Sequence, residues 1–261
     1  MAETARTSLP GPADQRPGVR HAEHVMGTVF SFDLRDPLTP DLVRALRSAI
    51  DWLHHVDALF STYRPESAIS RLARGATTLD EEPEVVSAVL RVCDEAERRT
   101  RGCFTARPGG RLDPSGLVKG WAVEEACRIL SVGGARNLYV NGGGDLQVKG
   151  ESAPGRPWNV GIADPRHPGR ILTTVEGRDL AVATSGTAER GSHILDPRTG
   201  APATRLLSAT VTGPSLTWAD VYATAAMVLG PDATEWIAGV DGYDLLTVSR
   251  DEVVPGAPHG C

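Results

Sequence analysis

The chain has 261 residues, a formal net charge of −6, and 41% hydrophobic and 23% charged residues. These proportions are ordinary for a globular protein that buries a substantial core in one large domain or two small ones. The acidic balance, without a basic cluster, argues against a nucleic-acid partner, and no apolar run is long enough for a membrane span or anchor.

The two ends of the chain differ in composition from its middle. Residues 1–22 are rich in Pro, Gly and charge and hold no apolar run of a secretion signal, so we expect a disordered lead and a cytoplasmic protein. Residues 23–250 are expected to form a single domain, and residues 251–261 a loose tail. Four cysteines without CxxC spacing indicate reduced thiols: Cys93, Cys103, Cys127 and Cys261.

The first hundred residues predict one strand and two helices. Val25–Leu34 alternates apolar and polar residues, as a strand does. Thr39 is a candidate N-cap for the next segment, whose apolar residues recur at helical spacing. A polar turn, Phe60–Leu72, follows and holds Tyr63, which locally reads as a packed surface aromatic. A second helix is predicted over Glu84–Arg99.

A lysine near a predicted helix start is the next feature. Asp113 or Ser115 could cap a helix that runs to about Leu130, with Gly116 and Lys119 near its beginning. A helix N-terminus favours anions, so a cation there is misplaced unless an anion compensates it. The sequence fits two interpretations of Lys119: a lysine that binds an anion, and a lysine that is simply solvated.

Short strands with close spacing predict the fold class. They are Leu138–Val140, Leu146–Lys149, Trp158–Ile162, Ile171–Val175, Asp179–Ala183, Leu207–Thr212 and Tyr243–Ser249, with a glycine-rich turn at Asn141–Asp145. We expect Ile171–Val175 to pair with Asp179–Ala183 across a tight turn. The class is therefore α+β, with mixed or mostly antiparallel sheets and packed helices.

Residues 183–202 show neither helical nor strand periodicity, so a loop is expected there. The loop holds His193 ahead of two turn signals at Asp196-Pro197 and Thr199-Gly200. A histidine titrates near neutral pH and can act as a general base, although a lone histidine is more often a rim residue.

Two helices are predicted near the end of the domain, Thr217–Leu229 and Asp232–Ala238. Asp220 and Thr224 are four residues apart and therefore share one face of the first of them. A carboxylate and a hydroxyl in this arrangement could hold a hard cation, or could simply be polar.

Seven motifs in order resemble the ApbE family, flavin transferases that move FMN from FAD onto a protein hydroxyl. They are Met26-Gly27-Thr28, Ser61-Thr62-Tyr63, Asp113–Gly116 with Lys119-Gly120, Asn141–Asp145, Thr184–Gly186 with Glu189-Arg190, His193–Pro197 with Thr199-Gly200 and Pro202, and Ala219-Asp220 with Thr224. The match runs from about His24 to Val248.

The resemblance implies a role for each site residue. FAD, the substrate, would be contacted by Met26, Tyr63, Asp113, Lys119, Ser185 and Ile194. Mg²⁺ would be held by Asp220, Thr224 and a backbone oxygen near Gly116. His193 would take the proton from a Thr or Ser hydroxyl of an acceptor flavoprotein, which attacks the FMN phosphorus and expels AMP.

Two other functions fit the same residues. One is a Mg²⁺-dependent FAD pyrophosphatase that uses water in place of the acceptor, and the other is a non-catalytic flavin-binding protein.

The chain also departs from the family pattern: the segment around Gly102–Thr105 is shortened, and Ser115 stands where a glycine is usual. Because this segment is shortened, the resemblance does not decide whether residues from Phe104 to Arg107 contact the flavin.

Overall fold

The computed structural model describes residues 18–187, 194–250 and 252–255. Within these ranges the strands are β1 (Val19–Val25), β2 (Thr28–Leu34), β3 (Leu138–Gly142), β4 (Asp145–Lys149), β5 (Trp158–Ala163), β6 (Ile171–Gly177), β7 (Leu180–Gly186), β8 (Ser208–Gly213), β9 (Asp244–Val248) and β10 (Val253–Pro255). The α-helices are α1 (Pro40–Phe60), α2 (Ala68–Ala73), α3 (Glu84–Arg99), α4 (Ser115–Val132), α5 (Leu216–Leu229) and α6 (Ala233–Ile237).

Helices form where caps and apolar spacing agree. As predicted, Thr39 caps α1: its hydroxyl accepts a hydrogen bond from the Leu42 amide, 3.2 Å away. Pro40 occupies the first turn of the helix. Helix α3 has the predicted bounds, and its buried residues are Val86, Val89, Cys93 and Ala96.

Eight strands form one sheet in the order β1-β2-β3-β4-β7-β8-β9-β10, while β5 and β6 form a separate two-stranded sheet. Every strand pairing in the described ranges is antiparallel. The α+β class is confirmed. No helix in those ranges is both long and apolar enough to cross a bilayer.

The large sheet has a different neighbour on each face. Side chains alternate along a strand, so Ala181 and Ala183 of β7 join the main core with α1, α4 and α5, while Val182 faces the other way. There Val182 packs in a smaller core with Trp158 of β5. The main core therefore lies between the sheet and the helices, and residues on the helix side of β4 and β7 are brought against α4 and α5.

Three expected boundaries change. The strand expected over Val25–Leu34 begins at Thr28, because Met26 (φ +54°) and Gly27 (φ +70°) make a two-residue turn between β1 and β2. Strand β1 begins at Val19, so residues 19–22 belong to the sheet and not to a disordered lead. Residues 253–255 pair with β9, so that part of the expected loose tail is also a strand.

Strand β6 pairs with β5 and not with β7, which corrects the expected hairpin across residues 176–178. Strand β7 instead pairs with β4 and β8, an arrangement that places Val182 in the smaller core. Strand β7 also extends to Gly186, so the expected loop begins three residues later than Ala183. The expected polar turn after α1 contains helix α2, capped by the Ser67 hydroxyl.

Candidate functional site

The lysine near the start of α4 has its compensating anion inside the protein. The Asp113 carboxylate accepts a hydrogen bond from the Ser115 amide at 3.0 Å, where the helix begins. One turn on, the Lys119 ammonium forms an ion pair with the Asp145 carboxylate. The Lys119 side chain is 26% exposed and that of Asp145 is fully buried. Lys119 is therefore a paired cation at the edge of the core and not a solvated one.

Asp145 opens strand β4 immediately after the turn of Gly143 and Gly144, both of which have positive φ. Register places Asp145 opposite Gly142, on the helix side of the sheet. Besides its ion pair with Lys119, the carboxylate accepts a hydrogen bond from the Thr184 amide of β7 at 3.0 Å. The sequence indicates no role for Asp145 beyond its place in the Asn141–Asp145 motif; a carboxylate directly after a glycine-rich turn is the signal that could have marked it.

Asp220 lies on α5, facing α4 and β4. Its side chain is buried, and one carboxylate oxygen accepts a hydrogen bond from the Gly120 amide at 3.1 Å. Burial, and then the negative charge of Asp145, raise the pKa of Asp220 above its ordinary value. Two carboxyl groups from distant parts of the chain therefore meet beside one lysine.

One turn further along α5, Thr224 contacts Ser185, with the two hydroxyl oxygens 3.2 Å apart. Ser185 is the last helix-facing position of β7, two residues beyond Ala183. We call Lys119, Asp145, Ser185, Asp220 and Thr224 the acidic cluster. The structure thus brings together four residues that were predicted for the site and one that was not.

Gly120 allows α4 and α5 to approach closely enough for this cluster. A Cβ on Gly120 would lie 2.8 Å from the Leu216 carbonyl oxygen and 2.9 Å from Asp220 Cβ, closer than real contacts allow. Gly116 lies one turn earlier on α4, where a Cβ would be 3.2 Å from the Phe104 ring. Phe104 is itself buried, so its ring is part of the core and not an exposed flavin contact.

The predicted flavin contacts lie on turns. The β2–β3 pairing brings the Met26–Gly27 turn beside Gly143, whose Cβ would be 3.0 Å from the Thr28 hydroxyl. Met26 is partly buried against the main core. Tyr63 follows α1 and is 94% exposed, which leaves its ring face open to a planar ligand.

His193, with Glu189 and Arg190, lies outside the described residues. The chain is described again from Ile194, which packs against the main core and whose carbonyl accepts a hydrogen bond from the Ala203 amide at 2.8 Å. The turn signals after His193 are confirmed: the Asp196 carbonyl accepts from the Gly200 amide at 2.7 Å.

The donor set of the acidic cluster suits a hard cation. Among the described residues, no three His, Cys, Asp or Glu side chains group together as a metal centre. The cluster instead offers the Asp220 carboxylate with the hydroxyls of Thr224 and Ser185, and Mg²⁺ prefers oxygen ligands and is usually bound through only one or two carboxylates. These residues therefore fit Mg²⁺.

A cavity of about 680 Å³ lies elsewhere, between the outer side of β1–β3 and the two-stranded sheet. Its walls include Arg20, Asp33, Arg35 and Trp158. None of the predicted site residues lines it, so the cavity and the acidic cluster are separate features.

This architecture is an α+β fold already seen in solved flavin transferases. The ApbE protein from Thermotoga maritima superposes with a TM-score of 0.81 at 21% identity, over 92% of this chain and 97% of that one. The flavin transferase ApbE from Vibrio cholerae gives a TM-score of 0.80 at 23% identity, with the same coverage. At these identities the likeness establishes the fold.

The ApbE family model matches residues 26–109 and 105–246, and the chain belongs to the ApbE family. A Vibrio cholerae relative named FAD:protein FMN transferase is 33% identical over 151 residues, 54% of this chain and 45% of the relative. A Rhodobacter capsulatus protein of the same name is 29% identical over 235 residues, 87% of this chain and 41% of that protein. The chain spans less than half the length of these relatives.

Proposed function

We propose that the protein transfers FMN from FAD to a Thr or Ser hydroxyl of an acceptor flavoprotein and releases AMP. The observation that carries this proposal is the acidic cluster, in which Lys119 and residues from three other family motifs meet. Membership of the ApbE family and the names of the relatives support the same reaction.

Each residue of the site has a task in the proposed reaction. Asp220 and Thr224, with a backbone oxygen near Gly116, would hold Mg²⁺, which when bound stabilises negative charge on pyrophosphate oxygens. Lys119 would add its positive charge on the same substrate group. Tyr63 and Met26 would contact the isoalloxazine ring, and Asp113, Ser185 and Ile194 the rest of FAD.

His193 would act on the acceptor. It takes the proton of the Thr or Ser hydroxyl, whose oxygen forms a phosphoester bond to the FMN phosphorus. The P–O bond to the AMP phosphate breaks in the same displacement, and AMP leaves with the bridging oxygen. A loose transition state needs little proton removal, so orienting the hydroxyl is part of the same task.

The proposal is tested by incubating the full chain with FAD, Mg²⁺ and a flavoprotein fragment that carries the family's acceptor threonine. We expect a fluorescent flavin adduct in a denaturing gel and one AMP released per adduct. AMP and free FMN without an adduct would instead identify an FAD pyrophosphatase. FAD binding without either product would identify a flavin-binding protein.

His193→Ala is expected to abolish adduct formation while FAD remains bound, because the hydroxyl loses its base but the flavin contacts stay. Loss of general-base catalysis alone costs roughly 10²–10⁴-fold in rate. His167→Ala is a matched control, since this histidine lies on an exposed turn beside Asp164. A His193→Ala protein that transfers FMN at the wild-type rate would overturn the assignment.

A further inference from the structure

Lys119 is unusual in this chain. The sequence contains 27 Lys and Arg residues, and Lys119 and Lys149 are the only lysines among them. Lys149 ends strand β4, whereas Lys119 forms an ion pair with the fully buried carboxylate that begins the same strand. The two lysines therefore form a natural comparison between a site residue and a matched residue at the other end of one strand.

Lys119 is a single positive charge beside two buried acids. Asp145 and Asp220 carry at most two negative charges, so with both ionised the lysine lowers the net charge of the acidic cluster from −2 to −1. The Asp145 carboxylate is fixed on a second side by the Thr184 amide, so the ammonium faces an immobile partner. A fixed cation beside a cation site repels any divalent ion that binds there.

We propose that Lys119 is an internal counter-ion that restrains the divalent-cation affinity of the acidic cluster, with Asp145 as the residue that positions it. This inference rests on the proposed function, because it concerns the cation site of that reaction. The ion pair lets two buried acids coexist without a metal, and it keeps cation binding weak until an anionic substrate compensates the lysine. Cation and substrate would thus bind cooperatively.

The test measures Mn²⁺ binding to the full chain without flavin. Binding is detected as loss of the EPR signal of the free ion. Lys119→Met should bind Mn²⁺ at least tenfold more tightly than wild type, or about 1.4 kcal/mol. Asp145→Asn should shift the affinity in the opposite direction, because it removes a negative charge and leaves the lysine in place. Lys149→Met should match wild type.

The opposite changes in Mn²⁺ affinity expected for Lys119→Met and Asp145→Asn distinguish the proposal from a purely structural role of the ion pair. If the ion pair were only structural, both variants would weaken Mn²⁺ binding. Equal or weaker Mn²⁺ binding by Lys119→Met overturns the proposal, as does failure of every protein to bind Mn²⁺. Lys119→Gln gives the same test if the methionine variant does not fold, which circular dichroism establishes beforehand.

A second titration with 1 mM ADP present measures the cooperativity. ADP should tighten Mn²⁺ binding more in wild type than in Lys119→Met, after correction for the Mn²⁺–ADP complex in solution. An equal effect in both proteins overturns the proposed coupling. The FMN-transfer assay on the same preparations distinguishes the two failures: the expected Mn²⁺ affinities without any adduct would reject the transferase and leave the counter-ion role standing.

Discussion

The properties of the buried acids in this protein depend on which charged groups are buried beside them. Asp220 and Asp145 belong to segments 75 residues apart in sequence, yet their carboxyl groups share one buried region with one lysine. Burying like charges together costs stability unless a cation compensates them. Lys119 supplies this compensation for Asp145 through its ion pair.

Asp220→Ala is expected to raise the Mg²⁺ concentration needed for half-maximal FMN transfer at least tenfold. The substitution removes a carboxylate proposed to hold the cation, and the protein should stay folded because no new buried charge is created. Initial rates against Mg²⁺ concentration measure the effect. Asp232→Ala serves as the control, since this carboxylate is exposed after α5. An unchanged Mg²⁺ dependence would mean that the cation site lies elsewhere.

The described cysteines are expected to be unreactive in the folded protein. Burial raises the pKa of Cys93 to about 12 and also raises the pKa of Cys103 and Cys127. At pH 8 only about one Cys93 side chain in ten thousand would be a thiolate, the reactive form. In a Cys261→Ser variant, Ellman's reagent should therefore titrate no thiol until guanidinium unfolds the chain, and then three. Rapid reaction of the native variant would contradict this burial.

At the scale of elements, helix α4 fixes the beginning of helix α5. The Glu124 carboxylate of α4 accepts hydrogen bonds from the Ser215 hydroxyl and the Thr217 amide, each at 2.9 Å, and from the Thr217 hydroxyl. An acid at a helix N-terminus also interacts favourably with the helix dipole. With the Gly120 contact to Asp220, this arrangement sets how α5 presents its polar face to the sheet.

Glu124→Ala should therefore lower the free energy of unfolding by about 2–4 kcal/mol, as expected for losing charge-assisted hydrogen bonds at a partly buried site. Urea denaturation measures it. The neighbouring Glu125→Ala is the matched control, because Glu125 pairs with Arg128 on the same exposed helix surface and its loss should cost about 0.5 kcal/mol or less. Equal losses in the two variants would contradict the proposed tie between the helices.

At the scale of the whole molecule, the large sheet separates two cores that hold different parts of the chain. The helices and the acidic cluster lie on one side, and the β5–β6 sheet is held on the other through Trp158. The Trp158 indole donates a hydrogen bond to the Lys149 carbonyl at 3.0 Å, and the Arg35 guanidinium lies 5.4 Å from its ring centre. Local loosening on one side can therefore leave the other intact.

Trp158→Ala should cost roughly 3–5 kcal/mol of stability, by loss of a large buried side chain. Hydrogen exchange should accelerate in residues 158–177, while amides of α4 and α5 keep their protection relative to the new global stability. Ile171→Ala in the same small sheet is the control, because that side chain is 60% exposed. Uniform acceleration across the molecule would show that the two cores unfold as one unit.

Local sequence signals predicted the described α-helices other than α2 and gave the candidate site residues. Thr39 and Pro40 mark the start of α1 because capping and fixed φ are local effects. Asp220 and Thr224 share a face of α5 because helical spacing is also local. The order of the motifs indicated the ApbE family, which the family match then established.

Only the tertiary structure decided the strand partners and the contacts of the acidic cluster. Strands β6 and β7 are neighbours in sequence but lie in different sheets, and β7 buries alternate side chains in the two cores. The role of Asp145 was missed for the same reason: its contacts to Lys119, Thr184 and Asp220 come from three other elements. Such contacts depend on which faces are buried together, a property of the whole packed chain that no local pattern of residues contains.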